Sequence, residues 1–206
     1  MNKFIKKVIA KIRYPFNANE RQYFLNDPWH MERPSEQYRF KEVNRIIEEN
    51  KWPISSIVEV GSATGDQTKW LLQLPGVKKV HGIELSKQAV KRARKNLNNE
   101  TVSHNGLKWH RATFEVGSLP NLPYKAGQIH CDLITAFEIF TYIPVSEIPA
   151  AIEALTNAAS YRMVSYHQSK VPSKVQGKLD PFFFSIPGVQ STEIEFEGEK
   201  WTVLWW

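Results

Sequence analysis

The residues best placed to do chemistry in this 206-residue chain stand in two short segments. The first is Glu59-Val60-Gly61-Ser62-Ala63-Thr64-Gly65-Asp66, at the end of a β-branched run. Small residues in such a turn let a ligand come close to the backbone, and a helix starting after it offers free N–H groups and a positive dipole end. The second is Gly82-Ile83-Glu84-Leu85-Ser86, where Glu84 closes the next apolar run 23 positions after Gly61 (84 − 61). A carboxylate there can accept both ribose hydroxyl hydrogen bonds of an adenosine-containing ligand. Alone, Glu84 reads as a solvated strand-end residue; coupled to the loop at this spacing, it reads as a binding group. A nicotinamide dehydrogenase would share both features, but its fingerprint is G-x-G-x-x-G. Here Ala63 stands at the middle glycine, Gln67 and Thr68 follow, and Glu59 precedes the first glycine by two.

These groups need a scaffold, and the patterning supplies one. Residues 54–60 read as a buried parallel strand, followed by a helix that Asp66 can cap and that carries Trp70, Leu71 and Leu74. Residues 78–85 read as a second strand, and Ser86 caps a basic helix running through Asn98. Further strands are expected over 107–114, 130–137 and 161–167, with a helix over 146–159. Residues 169–190 contain three prolines and look irregular. Residues 192–196 and 201–205 flank Glu197-Gly198-Glu199 and read as a terminal hairpin. Upstream, a helix starting near Ser35 carries the apolar stripe Phe40, Val43, Ile46 and Ile47 and ends at Pro53. Strand–helix alternation of this kind predicts a doubly wound, Rossmann-like, mostly parallel seven-stranded sheet with a C-terminal antiparallel hairpin and an N-terminal helical extension. The expected division is an extension or lid over 1–53 and a ligand-binding domain over 54–206.

At this point the chain resembles the class I S-adenosylmethionine-dependent methyltransferases. Glu59-x-Gly61-x-x-x-Gly65 matches their first motif, Glu84 matches their ribose-binding acid, and Asp132 to Glu138 looks like their fourth-strand motif. The resemblance covers about residues 54–168. It implies S-adenosylmethionine as cofactor, with Gly61, Ser62 and Gly65 facing its methionine half and Glu84 holding the ribose. Glu59, Ala63, Leu85 and Phe137 complete the expected shell. Where this family often has an acidic residue near the adenine, the stretch reads Ala112-Thr113-Phe114; Thr113 is expected to accept a hydrogen bond there and Phe114 to pack on the ring.

Methyl transfer from a sulfonium is an in-line displacement, so the enzyme mainly aligns the acceptor with the methyl carbon. The acceptor groups are expected at the ends of the fourth and fifth strands. Glu138 would hold an ammonium or take its proton, Tyr142 would orient the acceptor, and His167 would serve as a base. Each has a purely structural alternative, as a turn cap, a core aromatic or a satisfied imidazole. Asn26-Asp27-Pro28-Trp29, ahead of a helix bearing Glu36 and Arg39, reads either as a proline turn or as a lid with Trp29 and Arg39 on the substrate side. This pattern, with His167, resembles the nodulation protein S-type N-methyltransferases, whose acceptor is an amino sugar on an oligosaccharide. A glycan or sugar amine, or a hydroxyl, is therefore the expected acceptor.

Composition narrows the field further. One cysteine, Cys131, excludes an internal disulfide and a paired-cysteine zinc site, and no metal is expected. No apolar run is long enough to span a bilayer, and lysines interrupt any secretory h-region near the N-terminus. A cytoplasmic protein is expected. Residues 2–13 read either as a helix docked on the domain or as a peripheral contact at the inner membrane face. The net charge of +6 permits anionic partners without demanding them. Nucleic-acid methylation is a rival reading, but the fourth strand ends without the (Asp/Asn/Ser)-Pro-Pro-aromatic motif of the amino-methylating DNA enzymes. A non-catalytic cofactor-binding module is a second rival.

Overall fold

The computed structural model describes residues 20, 23, 29–104, 107–123, 131–168 and 176–206. The helix expected over 2–13, the Asn26-Asp27-Pro28 turn and His130 lie outside the described residues. Around them run α1 (Pro34–Glu49), β1 (Ser56–Val60), α2 (Asp66–Leu71), β2 (Lys79–Glu84), α3 (Lys87–Asn96), β3 (Thr101–His104), β4 (Leu107–His110), β5 (Ala112–Val116), β6 (Cys131–Phe137), α4 (Ile148–Ala158), β7 (Ala159–Gln168), α5 (Gln176–Phe183), β8 (Gln190–Phe196) and β9 (Glu199–Trp205).

Seven strands form one sheet in the order β5-β2-β1-β6-β7-β9-β8. The first five are parallel; β9 runs antiparallel to β7, and β8 to β9. The Rossmann-like, mostly parallel sheet with its closing hairpin is thus present. Neighbouring side chains alternate across it. Ile57 and Leu133 join a core with Val43, Ile46 and Ile47 of α1, Leu71 of α2 and Val90 of α3. Val58 and Ile134 join a second core with Leu155 of α4 and Leu179 of α5. Both faces are covered, as a parallel sheet requires. Because the chain adds β2 and β5 on one side of β1 and then β6 on the other, the strand order reverses between β1 and β6. A crevice opens there at the carboxyl ends of the strands.

Local chemistry sets several boundaries differently from the sequence expectation. The helix expected at Ser35 begins one residue earlier. Pro34 takes the first helical position, where its missing N–H costs nothing, and Arg33 is the N-cap without a side-chain bond. Asp66 lies inside α2, whose N-cap is Gly65 at φ +85°. Ser86 does cap α3, its hydroxyl accepting from Ala89 N at 3.1 Å. The strand expected over 107–114 is two elements. Residues 107–110 pair back onto 101–104 as a separate hairpin, and the sheet strand is Ala112–Val116. Arg111 fixes the break, donating through Nη2 to the carbonyls of Leu72 and Val77. The irregular stretch after the fifth strand contains α5, in which Pro181 sits. The final hairpin turns on two residues, Glu197 at φ +49° and Gly198 at φ +83°, the geometry of a tight primed turn. No helix among the described residues is long and apolar enough to cross a membrane.

Candidate functional site

The loop after β1 is held as a sharp turn by backbone bonds to β2 and within itself. The amides of Gly61 and Ser62 both donate to Ile83 O, at 2.7 and 3.2 Å, and Gly65 N donates to Ser62 O at 2.8 Å. Gly61, Ala63 and Gly65 all take positive φ. Glu84, at the end of β2, turns its carboxylate back onto this loop. Oε2 accepts from Ala63 N at 3.1 Å and Oε1 from Ser86 N at 2.8 Å. Each oxygen keeps lone-pair capacity for a further donor, which suits a pair of vicinal hydroxyls. Burial pushes the Glu84 carboxyl above its ordinary range, against the pull of these amides.

One cavity of about 780 Å³ spans this loop and the acceptor end of the sheet. Its first half is walled by Gly61, Ala63, Glu84 and Leu85, with Gly117, Ser118 and Leu119 beyond β5. Its second half is walled by Phe137, Glu138, Tyr142 and His167, by Trp29, Arg33 and Glu36 from upstream, and by Glu199 and Trp201 from the terminal hairpin.

Glu138 is the centre of the second half. It stands just past β6 at φ +61°, an uncommon conformation for a side chain other than glycine. Ser165 Oγ donates to its Oε1 at 2.8 Å and His167 N donates to its Oε2 at 2.8 Å. Burial raises its carboxyl pKa, while the positive charge of Arg39 and the Ser165 bond work the other way. The His167 ring meets Trp201 edge-on, with centroids 5.3 Å apart. Tyr142 sits on a 3-10 turn, Phe140–Tyr142, and is largely exposed. Its ring lies 5.5 Å from that of Trp29, whose Nε1 donates to the Tyr23 hydroxyl at 2.9 Å.

Of the residues singled out in the sequence, Gly61, Ala63, Glu84, Leu85, Phe137, Glu138, Tyr142, His167 and Trp29 come together in the cavity wall. Six others do not reach it. Glu59 is buried beneath the loop, where it accepts from the Thr68 hydroxyl, and desolvation pushes its pKa up to about 7. Gly65 packs under Leu97 and Phe114, and Ser62 faces Gly82. The Ser62 hydroxyl is buried with no hydrogen-bond partner among the described residues. Thr113 points to the opposite face, 2.7 Å from His81 Nδ1, and Phe114 fills the space beside Gly65 and Gly82. The expected adenine contacts are therefore displaced. β5 ends at Val116, so its cavity-facing end is Gly117–Leu119 and not 113–114. Arg39 is fully buried, and the helix meets the cavity through Glu36 instead.

Ser165, Glu199 and Trp201 carry weaker sequence signals. Ser165 is legible only as the residue two before His167 on the same strand face. Glu199 beside a turn glycine reads as solvated.

The chain matches the family model described as methyltransferase domain over residues 57–160. No curated protein sequence matches it significantly. Among solved structures it is similar to the magnesium protoporphyrin IX methyltransferase of Synechocystis PCC 6803 with bound S-adenosylmethionine. The two share 15% identity and a TM-score of 0.62, over 97% of this chain and 95% of that one. It is also similar to an S-adenosylmethionine-dependent methyltransferase from Aquifex aeolicus, at 17% identity and TM-score 0.60, over 84% of this chain and 92% of that one. A third is an amino pentose methyltransferase of Micromonospora echinaspora involved in calicheamicin biosynthesis, at 14% identity and TM-score 0.58, over 81% and 89%. At these identities the likeness speaks for the fold.

Proposed function

The chain belongs to the methyltransferase-domain family, and on that premise we propose that it uses S-adenosylmethionine and that its acceptor is an amine on a small molecule or glycan, best a sugar amine. The residues present suit the cofactor. Glu84 offers two part-free carboxylate oxygens to the ribose, and the backbone of Gly61–Ala63 lies open at the cavity wall. When bound, the cofactor supplies an electrophilic methyl group on a sulfonium. The acceptor amine attacks in its neutral form; the new N–C bond forms as the C–S bond breaks, and the nitrogen then sheds a proton.

One observation carries the acceptor assignment. Glu138 presents a carboxylate, fixed at both oxygens, in the same cavity as Glu84. That carboxylate can hold an acceptor N–H, orient the lone pair toward the methyl carbon, and take the proton released. Tyr142 and Trp29 give an aromatic wall suited to a sugar's apolar face or to a cation. His167 stands beside Glu138 as a second proton acceptor. The wall sets three carboxyls, Glu36, Glu138 and Glu199, against one guanidinium, Arg33, and this balance disfavours a polyphosphate, which weighs against nucleic acid. On the basic face of α3, Arg94 is turned to the carbonyl of Phe114 at 2.6 Å.

The test is methyl transfer from labelled S-adenosylmethionine to a panel of amino sugars and amino-glycosides, with the parent sugars as controls. Transfer to an amino sugar that falls at least a hundredfold in Glu138→Gln supports the reading. Transfer only to hydroxyl acceptors, or full activity in Glu138→Gln, overturns it.

A further inference from the structure

We infer that the acceptor carries an alkyl substituent beside its reacting group, and that this chain leaves the cavity along Tyr142-Ile143-Pro144-Val145. The inference deepens the reading of the cavity's second half as the acceptor site and rests on it.

The two walls of that half come from opposite faces of the sheet and differ in kind. Arg33 and Glu36 come from the start of α1, the helix that covers the first core. The other wall is the chain that follows β6. Its Phe140 and Ile148 are fully buried in the second core, and Phe140 meets Phe183 of α5 edge-on with ring centroids 4.8 Å apart. Between these two anchors stand Tyr142, Ile143, Pro144 and Val145, none of them charged. Tyr142, Ile143 and Pro144 line the cavity. Tyr142 is 64% exposed, and Val145, next in the chain after Pro144, is 41% exposed. The apolar strip therefore begins at the cavity wall and runs out to the surface.

Backbone bonds hold the strip in place. Tyr142 N donates to Ile139 O at 2.9 Å, Ile143 N to Phe140 O at 3.3 Å and Glu147 N to Pro144 O at 2.8 Å, closing a 3-10 turn on either side of Pro144. The other exposed large apolar side chains among the described residues are Leu85, Val116 and Phe184. Leu85 lines the cofactor half, and Val116 pairs with Glu84 across the β2–β5 ladder. Exposed apolar surface thus gathers at both ends of one cavity, as it does where a ligand covers it. Trp29 and Tyr142 are enough to face one sugar ring. Ile143, Pro144 and Val145 lie beyond Tyr142 in the chain and offer aliphatic surface only. A further sugar would find no hydrogen-bond partner in those side chains, whereas an alkyl chain gains by taking them, and itself, out of water.

The probes are methyl, butyl and hexyl glucoside, which are monomeric in water and carry no amine. They are titrated calorimetrically into the full chain with S-adenosylhomocysteine present. Affinity should rise about twofold per methylene, as for a half-covered chain, and so about thirtyfold from methyl to hexyl. Val145 is exposed, so Val145→Glu leaves the fold intact; in that variant the hexyl-to-methyl ratio should fall below about fivefold. The matching alkyl glucosaminides should repeat the series in kcat/KM for methyl transfer, with the change carried by KM. Equal affinity across the glucosides, no binding of hexyl glucoside, or an unchanged ratio in Val145→Glu overturns the inference. Failure of the amine reading shows itself separately, as no methyl transfer to any glucosaminide, and leaves the glucoside series to decide the apolar strip.

Discussion

Gly61→Ala separates two physical demands that the loop after β1 makes on one residue. The first is conformational. Gly61 has φ +80°, and an L side chain there costs about 1–2 kcal/mol. The second is steric. A Cβ on Gly61 would fall 1.9 Å from Ile139 Cδ1 and 2.5 Å from Ile139 Cγ1. Because Cδ1 ends a flexible side chain, Ile139 can rotate away, but it is packed against the second core and lines the cavity. Overpacking of this kind costs roughly 1–3 kcal/mol. Against these, alanine narrows the unfolded ensemble and returns about 0.4–1 kcal/mol. The net expectation from these contributions is a loss of about 1–5 kcal/mol. Urea denaturation of wild type, Gly61→Ala, Ile139→Ala and the double variant apportions the loss. In the Ile139→Ala background the steric part disappears, so Gly61→Ala should cost at least about 1 kcal/mol less there. Equal costs in the two backgrounds would refute the steric account and leave only backbone strain.

The remaining expectations concern binding, turnover and acid response. Glu84→Ala should weaken S-adenosylhomocysteine binding by roughly 1–3 kcal/mol in calorimetry, the scale of lost hydrogen bonds to a charged group; unchanged affinity removes Glu84 from the site. His167→Ala should lower turnover far more than cofactor affinity, and wild-type turnover would make the imidazole a packing partner of Trp201 only. Glu59 binds its proton more tightly folded, at about 7, than unfolded, so the native state carries the extra proton between about pH 4.5 and 7. Its contribution to stability therefore falls as pH rises through that window, by roughly 3 kcal/mol at most. The difference in denaturation free energy between wild type and Glu59→Gln, measured at pH 5 and pH 7.5, should change in that direction; a difference independent of pH counts against a buried neutral Glu59.

The sequence made the cofactor half legible because one short stretch builds it. Gly61, Ala63 and Glu84 lie within two strands and a turn, and the alternation of strands and helices places them at the carboxyl end of the sheet. Thr113 and Phe114 were misplaced by a register error: the apolar run over 107–114 is continuous in sequence, yet it is divided between two sheets at Arg111, and only tertiary bonds to Leu72 and Val77 mark the division. Glu138, Tyr142 and His167 were visible as strand-end residues. The partners that fix or face them come from positions with no local signal: Ser165 across the β6–β7 ladder, Glu199 and Trp201 on the closing hairpin, and Glu36 on a helix far upstream. Arg39 looked like a ligand group because charged residues are seldom buried, and burial paired to Glu36 and Gln67 is a property of the fold alone.

The cavity joins parts of the chain that are made at very different times. The wall beside the cofactor loop draws on residues 60–119, whereas the acceptor wall combines Trp29 and Glu36 with Glu199 and Trp201. Closing loops of that span is entropically slow, so contacts to the final hairpin belong late in folding. During synthesis, the ribose carboxylate and its turn can be in place while the acceptor wall still lacks its last strand pair. A released chain cut before Glu199 would thus present a cofactor crevice without an enclosed acceptor chamber, and β7 would still show an open edge where β9 is to dock.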